Sequence, residues 1–238
     1  DFVDAGNGND FMILPAGSTF APFSPGSLSG SITLPDGRVI TYISVAEENI
    51  SIACFAQGTL IRTPSGEKRV EDLAQGQLVD TLDDGPRPLQ WIGAQSVPGH
   101  GRLAPICFDT GAIGNHAPLQ VSAQHRMLIS GWRCELFLQE SDALCAAIHL
   151  CDGDKIYRKP VPRISYYHLM FDQHQIIYAN GAPAESFFLG DYQADADKAT
   201  YDELVSLFPE LAARDHPLRR PARPFVRGFE ACLLNANA

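Results

Sequence analysis

The chain has 238 residues, 45% of them hydrophobic and 19% charged, which is enough apolar material to bury a core without disulfide or metal staples. Lys and Arg total 18 against 28 Asp and Glu, a net charge of −10, and this excludes nucleic acid as a partner because a phosphate backbone needs a basic surface. Apolar runs fall short of the length a spanning helix requires, so no membrane span is expected, and a monomer is expected.

The first element is a repeat. Asp1 and Asp10 stand nine residues apart, separated by Gly6-Asn7-Gly8 and each followed two positions later by an apolar residue, Val3 or Met12. The stretch resembles the nonapeptide of RTX-type calcium-binding repeats, with Ala5 replacing the first glycine. That resemblance implies calcium at Asp1 and Asp10, because Asp and backbone carbonyls offer hard oxygen ligands where glycines turn the chain tightly. One and a half repeats do not complete a ligand set, so a simple Gly/Asn/Asp turn cluster is the alternative. The RTX-like context predicts an exported protein, secreted or on the cell surface, whose targeting signal is not visible. The start at Asp1, inside the repeat, suggests that the chain is part of a longer polypeptide.

Residues 15–31 are rich in Pro, Gly and Ser and read as a linker. Alternating β-branched residues over 31–34 and 38–44 flank Pro35-Asp36-Gly37 and predict a hairpin, and 50–55 reads as a further strand carrying Cys54. Short β-like runs follow at 59–63, 79–82, 89–92, 105–108, 119–121, 127–130, 156–158, 166–171 and 175–178. Turn signals separate them, among them Pro64-Ser65-Gly66, Asp83-Asp84-Gly85, Cys151-Asp152-Gly153 and Asn180-Gly181. This pattern predicts a mainly β protein. Beyond 190 the spacing turns helical: Tyr201, Leu204, Val205 and Phe208 mark a helix over 199–213, and a second is expected over 224–234. The predicted division is an upstream segment (1–44), a main β domain (45–190) and a helical appendage (191–238). Arg214, Arg219, Arg220, Arg223 and Arg227 are read as a solvated linker and helix face, given the prolines among them and the acidic total.

Six cysteines, Cys54, Cys107, Cys134, Cys145, Cys151 and Cys232, lack the paired spacing of a zinc site or a redox dithiol. Five read as small hydrophobes. Cys54 is different because of its surroundings. It opens the segment Cys54-x-x-x-Gly58-Thr59-x-Ile61-x-Thr63. A second segment is Ser122-Ala123-Gln124-His125, and a third is His168-Leu169-Met170-Phe171-Asp172-Gln173-His174, followed by Asn180-Gly181.

Together, in this order, the three segments resemble the Hedgehog/intein (Hint) superfamily, in a bacterial branch found downstream of RTX-like repeats. Leu207-Phe208-Pro209-Glu210-Leu211 is also similar to that branch. The resemblance implies a flat horseshoe of two pseudo-related curled subdomains with a small C-terminal helical appendage. It also implies self-processing, with the Ala53–Cys54 peptide bond as the scissile bond and the chain's own upstream segment as substrate.

The chemistry fits the residue types. A thiol directly after the scissile carbonyl attacks through a five-membered ring, so the reaction is intramolecular. The amide nitrogen leaves only if it is protonated, and His125 is the predicted donor. Ser122 replaces the family's Thr and is expected to hold the amide or the developing oxyanion. Glu185-Ser186 stands where inteins carry His-Asn, so no succinimide can form and full splicing is not expected. The thioester then passes to water, another thiol or an unidentified acceptor nucleophile. Asp172 and His174 are the candidates to activate that nucleophile, and Asp172 could equally tune Cys54. His168 shares a face with Met170 and Asp172, and its assignment stays open; His100, His116 and His149 read as surface or core histidines. This chemistry needs no cofactor. Two other classes stay open: a cysteine hydrolase acting in trans, and a non-catalytic module of an exported calcium-binding protein.

Overall fold

The computed structural model describes residues 53–188, 220–226 and 230–231, together with the backbone of four N-terminal strands. The chain divides into two compact units, Asp1–Ile50 and Ser51–Ala238. In the first, β1 (Phe2–Asp4), β2 (Thr19–Pro22), β3 (Gly30–Thr33) and β4 (Val39–Ile43) form one sheet in the order β1-β4-β3-β2. The predicted hairpin is β3 and β4, with Ile32 opposite Ile40. β1, inside the repeat-like segment, pairs parallel with β4. Asp1 and Asp10 lie outside the described residues, as does the helix expected over 199–213.

The second unit opens with β5 (Phe55–Ala56), β6 (Leu60–Thr63) and β7 (Gly66–Arg69), followed by β8 (Leu78–Thr81), β9 (Gly85–Pro88) and β10 (Trp91–Gly99). Next come β11 (Ile106–Phe108), β12 (Leu119–Val121) and β13 (Arg126–Ser130), a short helix α1 (Trp132–Leu138) and β14 (Asp142–Ala146). β15 (Ile156–Arg158), β16 (Val161–Met170), β17 (Ile176–Ala179) and β18 (Ala182–Glu185) complete it. One sheet has the order β10-β16-β5-β12-β11-β15, and a second runs β14-β13-β18-β17-β6-β7 with β8 and β9 attached through β17. Phe55, Ile61, Phe108, Met127, Leu169 and Ile177 are buried in a shared core.

β5 is only two residues long, yet it occupies the centre of its sheet. Phe55 pairs with Tyr167 of β16 on one side and with Val121 of β12 on the other, both antiparallel. One residue upstream, the same registers bring Cys54 between His168 and Ser122.

The mainly β expectation holds, and the differences have physical causes. The run at 89–92 is broken, because Leu89 and Gln90 separate β9 from β10. β16 starts at Val161, ahead of the predicted 166, and a register shift near Val97 and Gly99 of β10 accommodates its start. The strand β7 was invisible to an apolar pattern because all four of its residues are exposed. α1 spans seven residues, ends on Gln139 in the left-handed region and is too short to establish a period. The helix expected over 224–234 is corrected at its start. Pro224 and Val226 hydrogen-bond through their backbones to Leu144 of edge strand β14, which holds this stretch extended, whereas Glu230 and Ala231 are helical. A sheet edge offers unpaired backbone groups, and that pairing outweighs local helix preference.

The Asn180-Gly181 turn joins β17 to β18 with Ala179 opposite Ala182, and both turn residues have positive φ, 47° and 86°, as a type I′ turn requires. Asn180 also fastens three elements: its Oδ1 accepts the Leu60 N–H at 2.7 Å and its Nδ2 donates to the Pro118 carbonyl at 2.7 Å. Asn180→Ala removes both bonds and puts a residue ill suited to positive φ in the turn. It should cost about 2–4 kcal/mol, read as a lowered urea midpoint in a Cys54→Ala background that keeps the chain intact.

Candidate active site

Peptide groups inside a sheet normally bond to neighbouring backbone. Ser122 N–H keeps that pattern, donating to the Cys54 carbonyl at 3.0 Å. The peptide group before it departs from the pattern. The Cys54 N–H donates to Ser122 Oγ at 3.1 Å, and His168 Nδ1 stands 3.1 Å from the Ala53 carbonyl oxygen. Side chains from two different strand ends therefore hold the carbonyl and the N–H of the Ala53–Cys54 bond. Both residues of that bond are buried.

The same His168 ring reaches the thiol. Its Nε2 lies 3.8 Å from Cys54 Sγ, within reach of a hydrogen bond to sulfur. The carbonyl oxygen only accepts, so Nδ1 carries the ring hydrogen and Nε2 of the neutral ring faces the sulfur as an acceptor. Trp91 stacks at 6.3 Å and Phe187 packs at 5.9 Å between ring centroids, fixing the imidazole plane. Burial lowers the His168 pKa to about 4, partly offset by the bond to the Ala53 carbonyl. Burial pushes the Cys54 thiol far up, Ser122 pulls it back, and the charge of Glu185 raises it further. At neutral pH the resting pair is thus thiol and neutral imidazole.

His125 follows from Ser122 through a tight turn, its N–H bonding the Ser122 carbonyl at 3.1 Å. Its ring is fully buried edge-on against Phe55, with centroids 4.3 Å apart, and neither ring nitrogen has a hydrogen-bond partner. Burial lowers its pKa to about 4, Glu185 opposes that, His168 and Arg126 add to it, and the Cys54 backbone raises it.

Behind His125 lies a charge cluster that the sequence reading did not anticipate. Glu185, at the end of β18, is buried and accepts the Arg126 backbone N–H at 2.8 Å and Arg126 Nη1 at 3.3 Å. His174 Nε2 stands 3.4 Å from Glu185 Oε2, at ion-pair distance but without hydrogen-bond alignment. Burial alone would raise the Glu185 pKa, but contact with His174 and the charges of Arg126, His125 and His174 outweigh it and hold the carboxyl below its usual range. Ser186 is buried too, its Oγ accepting the Gln175 N–H at 2.9 Å.

The predicted site residues therefore separate. Cys54, Ser122 and His125 come together. His174 lies one layer back, its Nδ1 accepting the Ala222 N–H at 3.1 Å and its ring stacked on Phe188 at 4.6 Å, so it faces Glu185 and the 220–226 segment. Arg223 clamps that segment through Asp142 at 2.6 Å and Asp83 at 2.8 Å, which corrects its reading as a solvated arginine. Asp172 is paired with Arg87 and 40% exposed, a surface ion pair instead of a neighbour of the thiol. The group that takes its place at Cys54 is His168. Alternation along the strand could not select it, but extension of the Phe55–Tyr167 register by one residue does. Cys107, Cys134, Cys145 and Cys151 are free thiols, the first three buried. No cluster of three or more potential metal ligands occurs among the described residues.

Comparison with known proteins closes the assignment. The Hint domain family matches residues 53–191, beginning at the Ala53–Cys54 peptide and covering more than half of the chain. The chain belongs to the Hint domain family. Solved structures similar to it include the gp41-1 intein, at 12% identity over 56% of this chain and 97% of that one with a TM-score of 0.35. A bacterial intein-like domain from Clostridium thermocellum is similar at 13% identity over 57% and 98%, with a TM-score of 0.37. A DnaB intein from Synechocystis sp. is similar at 15% identity over 56% and 98%, with a TM-score of 0.36. No curated protein matches the chain. No helix of the Hint domain or elsewhere among the described residues is long and apolar enough to cross a membrane.

The buried histidines make the stability of this Hint domain depend on pH. His125 and His168 have folded pKa values of about 4 against 6.5 in the unfolded chain, so the unfolded state binds more protons as pH falls below 6.5. Their contribution is complete above pH 6.5 and is lost on the way down to about 4. Between pH 6.5 and 5 the pair should cost about 3 kcal/mol. Urea unfolding of Cys54→Ala at the two pH values measures it, and His125→Phe should flatten the dependence by about half.

Proposed function

We propose that this Hint domain cleaves its own chain between Ala53 and Cys54 by an N–S acyl shift. The observation that carries the reading is the side-chain grip on both polar atoms of that one peptide group, by Ser122 Oγ on the nitrogen and by His168 Nδ1 on the carbonyl oxygen. Hydrogen bonding at the oxygen draws electrons from the carbonyl carbon, and the bond at the nitrogen restrains the amide at the point where it must pyramidalise. The Cys54 sulfur closes a five-membered ring onto the Ala53 carbon. Fixing it there supplies on the order of several kcal/mol that a bimolecular attack would lack. We place a ring N–H of His125 toward the nitrogen as its lone pair develops, with Glu185 supplying the opposing charge behind it.

The product is a thioester between the upstream segment and Cys54, with a free amine on Cys54. Glu185-Ser186 occupies the place of the terminal His-Asn of inteins. Glu185 is engaged with Arg126 and His174, and Ser186 with the Gln175 backbone, so neither is free to cut a downstream bond. The reaction we propose therefore ends by transfer of residues 1–53 to water, a small thiol or an acceptor nucleophile, without splicing.

The test is intact mass spectrometry of the purified chain over time. Wild type should yield fragments 1–53 and 54–238, faster with dithiothreitol or hydroxylamine, and hydroxylamine should leave a hydroxamate on Ala53. Cys54→Ala should stay whole. Equal fragment yields from Cys54→Ala and wild type would sink the reading.

A further inference from the structure

The acyl shift needs a base as well as an electrophile. Cys54 is a buried thiol, and burial raises its pKa, so little thiolate exists before the reaction begins. Of the residues predicted to serve the site, Asp172 is spent on Arg87, and His174 takes a proton donor, the Ala222 N–H, on Nδ1 and turns Nε2 to Glu185. His125 sits against Phe55. His168 alone among these histidines has both ring nitrogens on reacting atoms: Nε2 at 3.8 Å from the sulfur and Nδ1 at 3.1 Å from the carbonyl oxygen it is to attack.

We propose that His168 is a catalytic residue with two simultaneous roles, general base to the Cys54 thiol through Nε2 and oxyanion donor to Ala53 through Nδ1–H. The proposal rests on the acyl-shift reading above and adds the path of its proton. The S–H bond breaks and its proton moves to Nε2, while the sulfur electron pair forms the bond to the Ala53 carbon. The carbonyl π pair moves onto oxygen, held by Nδ1–H of what is now an imidazolium. The donor thus becomes cationic at the moment the oxygen becomes anionic, and a charge-assisted bond replaces a neutral one. In collapse the oxygen pair re-forms the carbonyl, the C–N bond breaks, the nitrogen pair takes a ring proton from His125, and the proton on His168 Nε2 replaces the one His125 gave up. The ring returns to neutral, and no external acid or base is consumed.

The wall around the ring favours this use. Trp91 from β10 and Phe187 after β18 are not ionisable. The titratable groups that bear on it are Cys54 ahead of β5 and His125 after β12; the charge of Glu185 on β18 reaches Cys54 and His125, and that of Arg126 on β13 reaches His125. In so dry a pocket an imidazolium is costly except while it faces the oxyanion.

Asparagine separates the two roles, because its amide nitrogen can replace Nδ1 while nothing replaces Nε2. In the full chain with saturating hydroxylamine, wild-type cleavage should be level between pH 6 and 8. His168→Asn should be slower by roughly 10²–10⁴-fold at pH 7 and should rise about tenfold per pH unit, following thiolate concentration. A His168→Asn rate and flat profile like wild type would overturn the base role. If that variant fails to fold, ¹⁵N NMR of His168 in the uncleaved Cys54→Ser chain decides. A neutral ring protonated at Nδ1 and bare at Nε2 at pH 7 is expected, and the opposite tautomer or an imidazolium would overturn the proposal. A wild-type chain that never cleaves, or a Cys54→Ala chain that does, overturns the parent reading instead.

Discussion

Everything in the second unit turns on one buried peptide group whose N–H and carbonyl are both held by side chains. A buried N–H or C=O left unbonded costs about 1–3 kcal/mol, so the groups of Ala53 and Cys54 must find partners somewhere. They find them in the side chains of Ser122 and His168. That substitution of side chain for ladder is possible because β5 begins only at Phe55 and β12 ends opposite it at Val121, while β16 runs on past it to Met170. The fold satisfies one amide with groups that can donate, accept and move protons.

Burial then sets the protonation states. His125, His168, Glu185 and the Cys54 thiol are packed out of water, and each responds in the direction that removes charge, except Glu185. Glu185 stays ionised because Arg126 and the imidazoles around it compensate for lost hydration. The cluster is closed from outside by residues 220–226, where Ala222 bonds His174, Phe225 packs edge-on against it, and Arg126 lies over the Phe225 ring at 3.8 Å. The segment is fastened by Arg223 to Asp83 and Asp142. It lies beyond residues 53–191, the part that matches the Hint family.

The departures from the family pattern gain meaning from this arrangement. Ser122 does what a Thr hydroxyl at that place would do, accepting the Cys54 N–H at 3.1 Å, and so the replacement keeps the contact. Glu185-Ser186 is a different matter. Its carboxylate is tied into the charge layer and its hydroxyl to the Gln175 backbone, which is why the proposed reaction stops without splicing.

The sequence by itself determined the class of the fold and singled out Cys54, Ser122 and His125, which the structure brings together. Alternating apolar residues and turn pairs such as Asn180-Gly181 are local signals, because side-chain period and positive φ are properties of a few adjacent residues. The spacing of Cys54, Ser122 and His125 was legible for the same reason. What only the tertiary structure decided was which imidazole meets the thiol, since that choice depends on a strand register formed across more than a hundred residues. A one-residue change in that register would have moved His168 to the opposite face. Burial decided the rest. It neutralised His125, turned Glu185 from an apparent gap in a motif into a charged partner, and left Asp172 on the surface with Arg87.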